Sequence, residues 1–314
     1  MAKSKKSSKK SSKSTSKAEK VVKDEAVKTE KVEKAEKTEK VEKVEKTEKV
    51  EKKEKGFFGK FFEKKCDPNE NILTIFKSKK IYAALVGEIV GTMIVALLIL
   101  TMGANQPVWN LFVILVATVA VYSFSGANLN PVITAGMMAT RRMSAIRGVL
   151  YLLAQMVGAW FALLIIGAFI NAGGTESELP KMAEVAEGAF WITTMLEFLG
   201  ATIIGFAFAR ALQYKRSVFT FAMVVASGVF TATVVCLFIS YYYMEASGNF
   251  TLNPAISLMS QILPTGGENV GEVLGKVMLA LLTYVIFPMI GGIIGFYVAD
   301  AAATLNDEDV KLVK

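Results

Sequence analysis

Six apolar stretches, at about residues 81–102, 108–124, 147–170, 189–210, 217–241 and 273–298, constrain this chain more than any other feature. Most are near the roughly 20 residues with which a helix crosses a bilayer; the second is short. Inside hydrocarbon every backbone polar group needs a partner within the segment, which favours helix. The expected fold is therefore an all-α membrane protein with six transmembrane helices. Two shorter apolar stretches, about 130–140 and 253–263, each begin with Asn-Pro and are too short to cross.

The charges between these stretches alternate in sign. Lys77, Lys79 and Lys80 precede the first span, Arg141, Arg142 and Arg147 follow the second, and Arg210, Lys215 and Arg216 follow the fourth. Lys311 and Lys314 close the chain. Six spans put all of these on one side. The other side holds Glu176, Glu178, Glu184, Glu187, Glu245, Glu268 and Glu272, with Lys181 and Lys276 as its basic residues. Excess Lys and Arg marks the cytoplasmic side, so both termini are expected there, in a multi-pass protein of the cell membrane.

The formal charge of +8 belongs to the N-terminal end, because residues 1–80 carry 26 Lys against 15 acids. Residues 1–56 are Lys/Ser runs followed by a (Val/Thr/Ala)-Glu-Lys repeat. They are expected to be disordered or a solvated single helix supported by pairs such as Glu30 with Lys34. Residues 57–80 open with Phe57, Phe58, Phe61 and Phe62 beside Lys60, Lys64 and Lys65, which suggests a helix lying in the membrane interface. The membrane-spanning region then runs over 81–298, in halves of about 81–170 and 189–298, and residues 299–314 form a C-terminal tail. With no His, and only Cys66 and Cys236 as cysteines, no metal cluster or disulfide framework is expected. There is also no nucleophile–base pair and no phosphate loop, so neither an enzyme nor a cofactor is expected.

The chain repeats itself. Gly87-Glu-Ile-Val-Gly-Thr92 in the first span matches Leu196-Glu-Phe-Leu-Gly-Ala-Thr202 in the fourth. Ser125-Gly-Ala-Asn-Leu-Asn-Pro-Val132 matches Ser247-Gly-Asn-Phe-Thr-Leu-Asn-Pro-Ala255. Three spans per half is an odd number, so the halves are inverted across the membrane, as in many transport proteins. Asn is a strong N-cap and Pro suits the first helical position, so Asn130-Pro131 and Asn253-Pro254 read as helix starts. Inversion brings the two starts together at the midplane. Their positive dipole ends then face one centre, with the two amides offering donors to a passing hydroxyl.

These paired motifs, each introduced by Ser-Gly, resemble the major intrinsic protein family of aquaporins and glycerol facilitators. The resemblance covers residues 81–298 and includes Gln155-Met-Val-Gly158 in the third span. It implies a passive channel for small neutral solutes such as water, glycerol-type polyols or urea, assembled as a homotetramer in membrane lipid, with no nucleic-acid partner. In such pores the half-helix dipoles are a recognised barrier to cations and protons. The resemblance makes Asn130, Pro131, Val132, Asn253, Pro254 and Ala255 the pore centre. It makes Glu88 and Glu197 buried acids that tie down the loops before the half-helices. Candidates for the selectivity filter are Ile256, Phe250, Asn110 and Val229.

The chain departs from that pattern at Val132, where Ala is usual, at Asn128, where His is common, and at Ile256, where the family carries its filter Arg. Ser257 stands where glycerol channels carry Asp. From Glu197 to Asn253 the second half is also longer than the first from Glu88 to Asn130, and the extra residues are expected in the loop around 240–247. Two other classes stay open. One is a secondary transporter, which also uses inverted repeats and broken helices. The other is a structural membrane protein whose business is the charged tail.

Overall fold

The computed structural model describes residues 70, 72–102, 106–174, 190–213, 217–244, 250–261 and 270–312. The Lys/Glu repeat, the Phe57–Phe62 face and most of the acidic connections therefore lie outside the described residues.

The described chain is helical, with α1 at Ile72–Lys77, α2 at Lys79–Met102, α3 at Pro107–Ser125 and α4 at Pro131–Ala139. Next come α5 at Ala145–Gly173, α6 at Phe190–Gln213, α7 at Val218–Met244 and α8 at Pro254–Gln261. The last stretch is α9 at Val270–Leu281, a π-helical turn at Leu282–Ile286, and α10 at Phe287–Leu312. Among the described residues six helical stretches are long and apolar enough to cross a membrane: α2, α3, α5, α6, α7 and the stretch Leu274–Leu305. The half-helices are α4 and α8.

Three features of the chain decide where these elements begin and bend. Ser144 caps α5 by accepting from the Arg147 N–H. Gly126 ends α3 in the left-handed conformation, its N–H donating to Tyr122 O. Pro288 lies inside the last span, where it has no N–H to give and its ring crowds the carbonyl four residues back. The π-turn immediately before it, closed by Phe287 N–H to Leu282 O, widens the helix there.

The extra length of the second half is not mainly loop. The fifth span, α7, has 27 residues against 19 in its counterpart α3, and it runs through 240–244. The expectation of a loop at 240–247 is corrected for residues 240–244, because apolar and aromatic residues there continue the helical run. At the other end, α10 carries helix past 298. The segment before residue 80 packs on the bundle in part: Ile75 of α1 is buried with Ile81, Ala84, Met143 and Tyr151.

The inverted repeat shows as paired close approaches. A Cβ at Gly158 would meet Ile89 O, and a Cβ at Gly291 would meet Phe198 O. Ile89 and Phe198 each follow the buried acid of their half. Thus α5 crosses α2 as α10 crosses α6, backbone against backbone, which is how helices associate where water supplies no hydrophobic drive.

Candidate functional site

The two Asn-Pro motifs build one site at the centre of the bundle. Asn130 has an extended backbone, and its Oδ1 accepts from the Val132 N–H at 2.9 Å, with Pro131 in the first turn of α4. Asn253 does the same for α8, its Oδ1 accepting from Ala255 N–H at 3.1 Å. Each amide group then reaches across to the other half. Asn130 Nδ2 donates to Leu252 O at 2.8 Å, and Asn253 Nδ2 donates to Leu129 O at 3.1 Å.

Those carbonyls belong to residues with strained backbone. Leu129 and Leu252 have φ of 55° and 52°, left-handed values that a branched side chain rarely adopts. Each such residue costs about 1 kcal/mol or more and persists only where its surroundings hold it. Here the holding groups are Glu88 and Glu197. Glu88 accepts from Asn128 N–H at 3.0 Å and Leu129 N–H at 2.8 Å. Glu197 accepts from Thr251 N–H at 2.8 Å and Leu252 N–H at 3.4 Å. Room for the two leucines comes from Gly91 and Gly200, where any Cβ would collide with Leu129 or Leu252.

The twin acids differ in one respect. Glu88 Oε2 also accepts from Gln155 Nε2 at 2.8 Å, so both of its oxygens are engaged. Glu197 Oε2 has no hydrogen-bond partner among the described residues. With Gly158 paired to Gly291, the counterpart of Gln155 is Pro288, which has no donor at all. The proline that shapes the last span thus removes the third hydrogen bond from the second acid.

A hydroxyl stands four residues after each motif Asn. Thr134 Oγ1 accepts from Asn128 Nδ2 at 3.2 Å and Gln155 Nε2 at 2.9 Å. Ser257 Oγ contacts Thr251 Oγ1 and donates to Asn253 O at 3.3 Å. So Asn128 is held in the loop network, and Ser257 is fully buried with its hydroxyl engaged at the start of α8. Val132 also fits: a Cβ at Gly292 would meet its Cγ1 and its carbonyl, so the larger side chain occupies space that a glycine on α10 leaves.

The four filter candidates are divided. Phe250 and Val229 share one apolar cluster with Cys236 and Leu252. Ile256 is fully buried in another, among Val95, Ala96, Ile99, Ala159 and Ala162. Asn110 is buried and its Nδ2 reaches Thr233 Oγ1 at 3.5 Å, a long contact. Thr233 Oγ1 donates to Val229 O at 2.9 Å, which sets Asn110 beside the Val229 turn. Sequence reasoning missed Thr233, Thr134 and the two strained leucines. The signal available was the helical offset of four from Val229 and from Asn130; nothing in the sequence marks a leucine for positive φ.

Comparison with known proteins agrees with this geometry. The family description "Major intrinsic protein" matches residues 75–299. The chain is 26% identical over 202 residues to Glycerol uptake facilitator protein-like 6 of Lactiplantibacillus plantarum, covering 62% of this chain and 83% of that relative. It also resembles the X-ray structure of the aquaglyceroporin from Plasmodium falciparum, with a TM-score of 0.54 and 16% identity over 70% of this chain and 96% of that one. A match spanning most of the chain, on a six-span bundle with two capped half-helices, means that this protein belongs to the major intrinsic protein family of multi-pass membrane channels.

Proposed function

We propose that this chain is a passive channel for small uncharged solutes, glycerol-type polyols and water, that excludes ions and protons. The observation that carries this reading is the reciprocal pairing of Asn130 with Leu252 O and Asn253 with Leu129 O. An amide nitrogen has two hydrogens. One of each pair is given to the opposite half, which leaves the other to donate to a hydroxyl at the junction of two positive helix ends. A neutral solute with lone pairs gains there, and a cation meets repulsion.

On the outer side of this junction we assign the filter to Asn110, Val229, Phe250 and Ile256, with the Thr233 hydroxyl added. A mostly apolar ring carrying an amide and a hydroxyl suits the carbon face and the hydroxyl edge of a polyol. In this reading the protein is a homotetramer of the cell membrane with both termini cytoplasmic. Stopped-flow light scattering of proteoliposomes under water, glycerol and urea gradients tests it. Fast flux that follows only the gradient and does not saturate is expected. Saturating flux coupled to an ion gradient would make it a transporter, and no flux above empty liposomes would leave the charged tail as its business.

A further inference from the structure

The first half-helix ends in an unusual way. Ala139 closes α4, Arg141 has φ of 56°, and Arg142 N–H returns to Met137 O at 2.9 Å. This is the cap geometry that glycine normally supplies, here with an arginine in the left-handed position. The result aims the next side chain, Arg142, back toward α10. Its guanidinium meets Asp300 in a two-pronged pair at 2.9 and 2.5 Å and lies over the Phe296 ring. Gln213, at the end of α6, donates to the same carboxylate at 3.0 Å. One turn away Tyr297 donates its hydroxyl to Ala139 O at 2.9 Å, the last residue of the half-helix.

The other side of the same short loop is held by the opposite end of the chain. Glu70 accepts from Arg147 Nε at 3.2 Å and Nη2 at 2.5 Å, and also from the Ser144 hydroxyl. Residues 140–147 are thus gripped by the segment before the first span and by the end of the last span. The Asp300 side is the more enclosed, with side-chain exposures of 13% and 12% for its pair against 34% and 15% for the Arg147–Glu70 pair. A bidentate, largely dry pair fixes geometry as well as adding energy.

We propose that residues 140–147 form a two-sided strap through which both ends of the chain set the position of the first pore half-helix, with Asp300 and Glu70 as positioning residues for conduction. This rests on the channel reading above. The half-helix has only nine residues, Pro131–Ala139, so a shift at its strapped end is carried to Asn130 at its other end. Loosening either grip changes where the Asn130 amide stands, and with it the relative passage of large and small solutes.

The test uses the full chain in liposomes, with water and glycerol permeabilities measured for wild type, Asp300→Asn, Arg142→Gln and the double variant, and amide hydrogen exchange followed over residues 131–140. Asp300→Asn is expected to shift the glycerol-to-water ratio by roughly two- to tenfold and to speed exchange in 131–140. The double variant is expected to shift no further than either single one, because both break one contact. Equal loss of both permeabilities with unchanged exchange overturns the proposal, as do single effects that simply add. If Asp300→Asn does not fold, Glu70→Gln carries the same readouts on the more exposed grip, and an unchanged ratio and exchange there overturns it. Absence of flux in wild type sinks the channel reading instead, while exchange over 131–140 still decides the strap.

Discussion

At the scale of single residues, the amides and acids around the motif make separable predictions. Asn130→Ala removes an N-cap, worth about 1 kcal/mol of helix stability, together with the donor to Leu252 O. Flux per folded molecule is expected to fall roughly two- to tenfold, the equivalent of one hydrogen bond, in a stopped-flow measurement. Wild-type rates in both Asn130→Ala and Asn253→Ala would remove these residues from the pore. The acids should respond unequally. Glu88→Gln replaces an oxygen that accepts with a nitrogen that cannot, in a site where both oxygens are used. In the second half the deficit runs the other way, since Glu197 Oε2 lacks a donor. Pro288→Gln supplies one from the position equivalent to Gln155. It is expected to raise the thermal midpoint in detergent, a hydrogen bond being worth about 0.5–1.5 kcal/mol; an unchanged or lower midpoint would show that Pro288 matters more for the π-turn. Ile256→Arg tests the filter assignment. Lower glycerol flux with water less affected supports it. Misfolding, or an untouched solute ranking, means that residue 256 stays among Val95 and Ala159 and lines no filter.

At the scale of elements, the close pairing of α10 with α4 and α6 leaves no space for added atoms. Gly292→Ala would press a methyl on the Val132 carbonyl and Cγ1, and backbone cannot yield as a flexible side chain does. A loss of about 1–3 kcal/mol, seen as a lower unfolding midpoint, is expected, with partial recovery when Val132→Ala accompanies it. The grip of Glu70, which precedes α1, on the start of α5 should depend on pH. Burial pulls the Glu70 carboxyl upward, but the hydrogen bonds from Arg147 and Ser144 and the Arg147 charge outweigh it and hold it below the ordinary carboxylate range. A carboxyl depressed in the folded state stabilises above its unfolded pKa, and that contribution is lost as pH falls through the folded value. Stability should therefore be flat near neutrality and drop in acid, with Glu70→Gln flattening the acid limb. An identical acid limb in wild type and variant would show that Glu70 contributes nothing to it.

At the scale of the whole molecule, the charged N-terminal end and the bundle are expected to separate. Removing residues 1–55 takes away a sequence that shares no pattern with the repeat, so flux per folded molecule should persist in liposomes. Complete loss in a well-folded truncation would show gating by that end. The division between what sequence and structure decide follows from the range of the forces. Span count, helix starts at Asn130-Pro131 and Asn253-Pro254, and the inverted repeat were legible, because bilayer thickness, capping chemistry and proline act over a few residues at a time. The family likeness was legible for the same reason, being carried by those local motifs. The positive φ of Leu129 and Leu252 was not. A leucine adopts it here only because an acid some forty or more residues away holds its N–H and a glycine beside that acid makes room. Nor was the burial of Ile256, the pairing of Asn110 with Thr233, or the strap between Arg142 and Asp300, each of which joins residues more than a hundred positions apart or depends on which helix face turns inward. The substitution of Pro288 for a second Gln155 could be seen only once the crossing of α10 on α6 had fixed which residues are equivalent. Local chemistry names the elements of this channel, and long-range packing alone assigns the partners of each polar group.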